Sequence, residues 1–571
     1  MKKTLRLLLR QLPLILFVLA LLFSFSVAYY FAYHYNDSDF ASELLLGNFL
    51  AEQNKLISSD WFYGSELRVV STNLVYMPLF KLFDDWRTVY FVGAWIIQLL
   101  LVGSYYYLSR QIGLKRNAFF LSAALMLLPV CILYGRFTLY QTYYAPCTIL
   151  GFLIAGFYLS VIRHRGRQTF IAQGLRLFAL FALAFAGSLN GARQIPGTIL
   201  PLAAAAVAVS ILSQPKHTLF IDILRRQWFQ LTLAAAVCIF AGLGFWFQNA
   251  VLLTRYSIYI SPIDSAVALP SADNFVNILT GYLSMFGYQE NRLLFSAEGI
   301  LALAGAFAAI VFLVFGMRNL LSRKAERTPE ATFAAVMYPV AMILITCIFL
   351  ATPKYQNYVT YFLPAFVWIF PFIGLFLQEN PAVIRKLTVS HALVYLSCLI
   401  LLGSGLYNAL YFLDPQDKQV EYDFLSQETT ETLHSFNGVV DFIEENGYEV
   451  GYATHWQANI ITAATNGEIP MIRIIRVYPD FRYSYDDCLT YKQTRELSFV
   501  EDKEMFLLLT RDEADIFSGS DLAAFAILIY EDDNYKIFTF DFTTEVWEYL
   551  LEQAEYLNQA TVLAQLQGEQ K

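Results

Sequence analysis

The chain has 571 residues, of which 57% are hydrophobic and only 15% are charged. A soluble protein of this length carries about a quarter charged residues, so a lipid bilayer must act as solvent for much of the apolar surface. The formal net charge of −8 argues against a nucleic-acid partner, because binding phosphate backbones requires a basic surface. These properties predict a multi-pass membrane protein.

Eleven apolar stretches predict membrane spans. The first follows Lys2, Lys3, Arg6 and Arg10, and residues 12–33 contain no Asp, Glu, Lys or Arg. We expect this segment to be a retained helix, because it lacks the small-residue cleavage site of a signal peptide. The predicted spans lie near residues 12–33, 89–108, 117–135, 140–162, 173–189, 196–213, 228–252, 298–317, 332–351, 357–377 and 390–412.

Basic residues are concentrated in alternate loops between these stretches. The positive-inside rule makes those loops cytoplasmic and leaves three regions outside: a first loop, a loop near 253–297, and the C-terminal residues. The C-terminal region is outside only if the number of spans is odd. The basic residues of the cytoplasmic loops are Arg110, Lys115, Arg116, Arg163, Arg165, Arg167, Lys216, Arg225, Arg226, Arg318, Arg323, Lys324, Arg327, Arg385 and Lys386.

The predicted fold is an all-α membrane bundle at residues 1–412, with a first outer loop at 34–88, followed by an extracytoplasmic α/β domain at 413–571. Strand and helix patterns alternate in the C-terminal domain, which is typical of α/β architecture. Its predicted elements are buried strands at Met505–Thr510 and Ala524–Tyr530 and helices at Glu431–Asn446 and Thr544–Leu566.

Two carboxylates, Asp37 and Asp39, follow the first span within a few residues. A lipid-borne substrate presents its head group at this depth, although solvated loop acids are the simpler interpretation. On a helix the two side chains would point about 200° apart, so only one would face a site, whereas an extended segment would allow both. Residues 40–51 have helical apolar spacing and predict a helix that lies along the membrane interface.

Three basic residues lie at the predicted outer ends of spans, against the overall charge bias: Arg136, Arg193 and Lys354. Basic groups at membrane depth are costly unless they are paired or close to water, so each is a functional candidate. Together they predict a cationic site for the phosphate or diphosphate of a lipid carrier. The alternative for each is snorkelling to lipid phosphates.

Glu66 follows an aromatic patch that contains Trp61 and Tyr63, which is suited to contact with a sugar ring. Alternatively, Glu66 pairs with Arg68 and the aromatic rings pack the loop onto the bundle. The sequence contains no Cys/His cluster with zinc spacing, no Gly-rich phosphate loop and no Gly-x-Ser-x-Gly elbow. We therefore predict no cofactor and no metal site, while a divalent ion stays open.

Several short motifs resemble those of the GT-C superfamily of integral-membrane glycosyltransferases, which includes protein O-mannosyltransferases and bacterial aminoarabinose transferases. The shared features are a charged N-terminus and a long first outer loop that opens on an Asp and continues into a helix. The motifs are Tyr134-Gly135-Arg136, the segment Tyr355–Pro364, the segment Tyr452–Asn459 and Thr465-Asn466-Gly467.

The resemblance implies that Asp39, rather than Asp37, is the acidic residue that acts on the acceptor, and it gives Lys354 the role of binding the carrier phosphate. This chain departs from the family pattern in two places. The second outer turn, at residues 136–141, contains no acid, which argues against a two-acid or metal-dependent site. Thr360 stands where the family often has Arg before Tyr.

The resemblance thus implies a transferase that moves a sugar from a polyprenyl-phosphate carrier to a glycan, lipid or protein acceptor of the cell envelope, with inversion. Asp39 would deprotonate the acceptor, and Lys354 with Arg193 or Arg136 would stabilise the leaving phosphate. The expected location is a bacterial cytoplasmic membrane. Two other functions stay open: a transporter or flippase of lipid-linked sugars, for which internal repeats are missing, and a non-catalytic assembly protein.

Overall fold

The computed structural model describes residues 2–34, 38–64, 66–166, 169–214, 218–258, 272–288, 293, 295–321, 327–352, 359–379, 389–413, 419–421, 430–432, 436–476, 482–483, 490–491 and 503–540. Asp37, Lys354 and the predicted helix 544–566 lie outside the described residues.

A helical bundle accounts for most of the described chain up to residue 412. Its helices are α1 (Lys2–His34), α2 (Ser38–Gln53), α3 (Asn73–Phe80), α4 (Trp86–Ile112), α5 (Arg116–Met126), α6 (Ile132–Tyr134), α7 (Ala145–Arg163), α8 (Phe170–Gly187), α9 (Leu200–Leu212), α10 (Phe220–Ala250), α11 (Ala272–Ser284), α12 (Ala297–Leu321), α13 (Pro329–Leu350), α14 (Leu363–Phe366), α15 (Ile369–Glu379) and α16 (Val389–Phe412).

The predicted membrane bundle is confirmed, but not all of its spans are continuous helices. Among the described residues nine helices are long and apolar enough to cross a bilayer, and the bent pair Val359–Phe366 and Ile369–Glu379 is a tenth candidate. The span predicted at 117–135 is interrupted: α5 has 11 residues and reaches only about 16 Å. The helix ends before Pro129, which has no N–H to donate and restricts the residue in front of it.

The interrupted segment interacts with other parts of the chain near both of its ends. At its start the Lys115 amide donates to the Gln378 side chain, at the end of α15. At its far end Arg136 is close enough to Asp39 to interact with it electrostatically. Eleven spans were predicted, whereas the described residues contain nine such helices, or ten with the bent pair, because the segment at 117–135 is interrupted.

Helix α4 shows how local sequence positions this end of the bundle. The Asp85 carboxylate accepts from the amides of Arg87 at 3.2 Å and Thr88 at 3.0 Å, so the helix begins at Trp86 with its first donors satisfied. The Trp86 amide in turn donates to the side-chain oxygen of Asn466 at 2.9 Å. The start of a membrane helix is thereby attached directly to the C-terminal domain.

The strands of the described chain are β1 (Trp61–Tyr63), β2 (Ser257–Ile258), β3 (Gln419–Glu421), β4 (Thr430–Thr432), β5 (Val450–Thr454), β6 (Met471–Arg476), β7 (Arg482–Tyr483), β8 (Thr490–Tyr491), β9 (Met505–Thr510), β10 (Ala526–Glu531) and β11 (Tyr535–Phe540). Three helices accompany the strands of the C-terminal region: α17 (Asn437–Glu445), α18 (His455–Ala464) and α19 (Arg511–Phe517).

The C-terminal region is built on a six-stranded mixed sheet in the order β10-β11-β9-β5-β6-β7. The central strand β5 pairs in parallel with β6 and β9, and the apolar side chains of β9 are buried as predicted. Strand β10 was predicted to be buried, but it lies at the edge of the sheet and much of it is exposed. The helix predicted from Glu431 begins only at Asn437, because residues 430–432 form strand β4.

A small second sheet connects three distant parts of the chain. Strand β1 of the first loop pairs in parallel with β2, with Phe62 opposite Ser257. The same strand pairs antiparallel with β8, with Trp61 opposite Tyr491. The three regions that the sequence predicts on the outer side thus meet at one end of the bundle.

Helix α2 lies between the bundle and the C-terminal domain. The sequence predicts that it lies along the membrane interface, and this stays a prediction, but the helix contacts protein over most of its surface: 12 of its 16 residues are buried. Helix α18 packs against it from the C-terminal domain. The apolar side chains of α2 therefore pack against protein on both sides of the helix.

Candidate active site

Asp39 lies in the first turn of α2, at the junction of the bundle and the C-terminal domain. Half of its side-chain surface remains accessible. The Asp39 carbonyl accepts from the Ser42 hydroxyl at 2.5 Å, and the neighbouring Ser38 carbonyl accepts from the Asn459 side chain at 3.4 Å. The first turn of α2 is thus stabilised within the helix by Ser42 and attached to the C-terminal domain by Asn459.

His455, the first residue of α18, lies beside this carboxylate. Its Nε2 is 3.3 Å from Asp39 Oδ1, and its Nδ1 is in contact with a guanidinium nitrogen of Arg473. A guanidinium can only donate hydrogen bonds, so Nδ1 must accept and the ring proton must be on Nε2. His455 therefore donates to Asp39 as a neutral imidazole.

Arg136 approaches Asp39 from the bundle. It lies in a π-helical turn, Gly135–Tyr140, a type of distortion found often at functional sites. Its side chain is 2% exposed. A Cβ atom at Gly135 would be 2.4 Å from Pro129 Cβ and 2.9 Å from the Phe412 ring, so only glycine allows this turn to pack where it does.

Opposing influences act on the Asp39 carboxyl, which lies outside the membrane-spanning segments. Desolvation by the surrounding protein raises its pKa, while the positive charges of Arg473, Arg136 and Arg68 lower it. The net effect is a pKa above the ordinary value of 3.8. A carboxylate raised in this way is better suited to accept a proton from a substrate than a solvated aspartate.

A second charged cluster lies next to this group and includes the predicted site residues Glu66 and Arg193. Arg193 Nε is 2.9 Å from Glu66 Oε1, and Arg68 Nη1 is 3.7 Å from Glu66 Oε2. Arg68 Nε is also 3.1 Å from Glu43 Oε1. Glu43 accepts in addition from the Thr72 hydroxyl at 2.5 Å. The predicted Glu66–Arg68 pair is present, although it is looser than the pair with Arg193.

Aromatic rings hold the two arginines of this cluster. The Arg68 guanidinium is 3.8 Å from the ring centroid of Tyr143, and that of Arg193 is 4.4 Å from the centroid of Tyr144. Both distances are within the range of cation–π attraction. Arg68 also has a left-handed backbone, with a φ of 56°, a conformation that costs energy in a non-glycine residue and is found at ligand sites.

A small cavity of about 20 Å³ lies between these side chains. Its floor is the turn that carries Arg193: Asn190 donates to the Val70 carbonyl at 2.6 Å and accepts from the Val70 amide at 2.9 Å. Gly191, with a φ of 120°, allows the chain to turn there. The lining residues are Glu66, Arg68, Val70, Ser71, Tyr143, Pro146, Cys147, Leu150, Gly187, Asn190, Gly191, Arg193 and Gln194.

Trp61 and Tyr63 are placed differently from the prediction of a sugar-stacking surface. Both lie in β1 and are buried, so neither ring presents a face to the cavity's solvent opening. The Tyr63 hydroxyl accepts from the Ser58 amide at 2.9 Å, and burial raises the Tyr63 pKa to about 12. This placement favours the alternative in which the aromatic patch packs the loop onto the bundle.

The structure thus brings Asp39, Arg136, Arg193 and Glu66 to the same end of the bundle, while the roles of Asp37 and Lys354 stay predictions. Within the described ranges, no group of three or more His, Cys, Asp or Glu side chains is arranged to hold a metal ion.

Sequence reasoning gave no role to three residues of the site. His455 lies in the segment Tyr452–Asn459, one of the motifs that resemble the GT-C superfamily. That resemblance was the signal by which His455 could have been identified. Arg473 is a buried charge in the middle of the otherwise apolar start of the strand Met471–Arg476, and a buried charge of this kind marks a candidate site. Glu43 looks on sequence like an ordinary polar residue of a helix.

Comparison with known proteins gives one informative match, at the level of structure. No protein-family model and no curated protein sequence matches the chain. The solved structure of ArnT from Cupriavidus metallidurans bound to undecaprenyl phosphate aligns with a TM-score of 0.56 and 12% identity, covering 92% of this chain and 97% of that one.

Two further solved structures align less well. Arabinofuranosyltransferase AftD from mycobacteria has a TM-score of 0.44 and 14% identity, over 93% of this chain and 41% of its own. The archaeal oligosaccharyltransferase AglB from Archaeoglobus fulgidus, in complex with an inhibitory peptide and a dolichol-phosphate, has a TM-score of 0.41 and 12% identity, over 88% and 70%. These neighbours are GT-C glycosyltransferases, and the likeness to ArnT confirms the predicted resemblance at the level of the fold.

Proposed function

We propose that this protein is a membrane glycosyltransferase that moves a sugar from a polyprenyl-phosphate carrier to an acceptor outside the cytoplasmic membrane of a bacterium. One observation carries the proposal: a half-exposed carboxylate, Asp39, lies within the electrostatic influence of three arginines from separate chain segments, at one end of a bundle with the fold of ArnT. A carboxylate beside cations is the arrangement that proton removal and phosphate departure require.

In the proposed reaction the acceptor hydroxyl gives its proton to Asp39 and its oxygen attacks the anomeric carbon. The bond between that carbon and the carrier phosphate breaks, and the phosphate keeps the electron pair. A single displacement inverts the configuration at the anomeric carbon. The carrier supplies the activated bond, so the proposal requires no nucleotide and no metal.

Arg136, Arg193 and Arg68 are the described residues suited to the leaving phosphate, together with the predicted Lys354. Arginine presents a planar fork of donors that matches phosphate oxygens. Glu43 and Glu66 would serve this group indirectly: each fixes an arginine through a buried ion pair. The positive charges would thereby be oriented before the carrier arrives, which reduces the reorganisation needed during the reaction.

The same end of the bundle carries the C-terminal domain, because α18 packs on α2. The positive-inside distribution of loop residues supports an outer location for this end. Acceptors of the cell envelope would then approach from the side of the C-terminal domain, and the lipid carrier would enter from the bilayer.

The decisive experiment measures sugar transfer by the purified protein in detergent. Synthetic polyprenyl-phosphate sugars would be offered as donors and a mixture of envelope glycans and lipids as acceptors, with the same sugars as nucleotide derivatives in a parallel reaction. Transfer from the lipid donors alone is the expected result.

The alternatives predict different outcomes in liposomes that contain labelled lipid-linked sugar. A flippase would expose the label on the opposite leaflet without breaking the bond to phosphate, whereas the proposed enzyme would release polyprenyl phosphate in proportion to the glycosylated acceptor formed. Flipping without cleavage would overturn the proposal.

A further inference from the structure

We infer that the C-terminal domain contributes a positioning pair, His455 and Arg473, which orients the Asp39 carboxylate and so completes the active site. The inference rests on the proposed function of Asp39. It assigns the domain a part in the chemistry itself, beyond the binding of an acceptor.

The contacts form a chain of three side chains that joins the two domains. Arg473 on β6 donates to His455 Nδ1, and His455 Nε2 donates to Asp39 Oδ1 at 3.3 Å. Arg473 is buried, with 6% of its surface exposed. Strand β6 runs beside β5, with Arg473 opposite Ala453, and β5 leads directly into the helix that begins at His455. The sheet therefore fixes both members of the pair relative to each other.

The hydrogen-bond directions determine what each atom can do. Because His455 donates to Oδ1, this hydrogen bond fixes the orientation of the carboxylate, and in the inferred arrangement Oδ2 receives the acceptor's proton. Because Arg473 donates to Nδ1, the imidazole has no free lone pair and cannot take a proton itself. His455 is thus a positioning residue, and the proton removed from the acceptor stays on Asp39 until solvent takes it up at the accessible half of that side chain.

The pair is one of several groups that face Asp39. His455 approaches from α18, Arg473 from β6, Arg136 from the π-helical turn and Arg68 from the first loop. Arg473 is the strongest of the cationic influences that lower the Asp39 pKa. The C-terminal domain thus supplies one of the three positive charges that offset the desolvation of Asp39.

The domain does not depend on this pair for its attachment. Asn459 donates to the Ser38 carbonyl at 3.4 Å, Asn466 accepts from the Trp86 amide at 2.9 Å, and β8 pairs with β1. Removing the imidazole should therefore leave the domain in place, which allows its chemical role to be measured separately from docking.

The first test compares two substitutions of His455. Glutamine offers a carbonyl to Arg473 and an amide donor to Asp39, so His455→Gln should retain most of the turnover. His455→Leu removes both hydrogen bonds and should lower kcat by about 10²-fold, the cost of misplacing a reacting group, with KM for the lipid donor nearly unchanged. Equal activity of the leucine variant and the native protein would overturn the inference.

The acid limb of the pH–rate profile tests Arg473. Loss of this charge should raise the Asp39 pKa further, so in Arg473→Gln the acid limb of kcat should move to higher pH by roughly one unit. Arg511→Gln is the matched control, because Arg511 is an exposed arginine of the same domain, and it should leave the limb in place. An unmoved limb in Arg473→Gln would contradict the inference.

A measurement of thermal stability separates this inference from the proposed enzyme activity. The Tm cost of Arg473→Gln should be larger at pH 7, where Asp39 is more often ionised, than at pH 4, and this pH dependence should vanish in the Asp39→Asn background. A pH-independent cost in both backgrounds would show that Arg473 does not act on Asp39. If the coupling is present but no sugar transfer occurs with any donor, the proposed function fails and the positioning pair stands as a structural finding.

Discussion

Asp39 and Glu43 are neighbouring carboxylates on one face of α2, four residues apart, yet their environments are opposite. Glu43 is 1% exposed and is held by Arg68 at 3.1 Å and by the Thr72 hydroxyl. Asp39 has half of its side-chain surface accessible, and its described partner is the His455 imidazole at 3.3 Å. The comparison suggests a division of labour in which Glu43 stabilises the site and Asp39 performs the chemistry.

The difference between the environments of Asp39 and Glu43 arises because successive turns of α2 contact different parts of the chain. At Asp39 the helix has only begun, and the C-terminal domain approaches with His455 and Arg473. One turn later the first loop folds back and presents Arg68. The sequence spacing of four residues puts both carboxylates on the same face, but the partners come from positions far away in the chain.

The largest effect is expected for Asp39→Asn, which keeps the size of the side chain but removes the base. Turnover should fall by about 10²–10⁴-fold while the lipid carrier still binds. Sugar transfer and carrier binding would be measured on the same purified variant. Asp84→Asn, in an exposed part of the same loop, is the matched control, and Asp37→Asn should have the smaller effect of the two candidate acids. Normal turnover in Asp39→Asn would contradict the assigned roles, because Asp39 would then not act as the base.

Glu43→Gln should affect stability instead. Removing Glu43 leaves the buried Arg68 with only the looser ion pair to Glu66 at 3.7 Å, and we expect the free energy of unfolding to fall by about 3 kcal/mol. Denaturant unfolding in detergent would measure it. Glu52→Gln, an exposed position on the same helix, should change stability little. If Glu43→Gln leaves stability intact but abolishes transfer, the assigned roles of the two carboxylates are wrong.

Arg193→Ala should weaken carrier binding by roughly 1.5–3 kcal/mol, the value of a charge-assisted contact to phosphate. Direct binding of a short-chain polyprenyl phosphate would show the loss. Arg255→Ala removes an exposed arginine near the end of α10 and serves as control. Equal losses in the two variants would indicate general attraction to lipid phosphates and not a phosphate site.

The smallest effect is expected for the change that Asp39→Asn makes to the pH dependence of thermal stability. The Asp39 pKa is above its unfolded value of 3.8, so the folded state binds its proton more tightly than the unfolded state does. The resulting stability is fully present below the unfolded pKa and is lost as the pH rises through the folded pKa. Asp39→Asn should therefore raise Tm slightly at pH 7, relative to the native protein, and less at pH 4. A Tm that falls at pH 7 would show that the ionised carboxylate stabilises the fold.

The sequence predicts the bundle well because an apolar run of about 20 residues, once helical, matches the thickness of the hydrocarbon core. It also makes Asp39 a candidate, since the end of the first predicted span defines the depth at which the next residues are expected to lie. It does not predict that α2 is buried, because the same apolar spacing suits a lipid interface and a protein interface. The missed partners, His455 and Arg473, reach Asp39 only through the tertiary fold, and no local pattern records such a contact.

The aromatic residues of the first loop illustrate a second limit. Aromatic residues such as Trp61 and Tyr63 occur both in sugar-binding surfaces and in surfaces that pack against other parts of a protein. The choice between them depends on the partner strands β2 and β8, which lie far along the chain. The chemistry of these side chains alone therefore could not distinguish a sugar-binding role from a packing role.

The three-stranded sheet also dictates an order of events during synthesis. Strand β1 is made early, but one of its partners follows at residue 257 and the other at residue 490, and the hydrogen-bonded atoms of Asp39 and His455 are 416 residues apart in sequence. Contacts between such distant residues form late, because the intervening chain must first be made and positioned. A nascent chain that has inserted all its membrane helices would still lack a finished site, so activity should appear only after the last strands have been translated and folded.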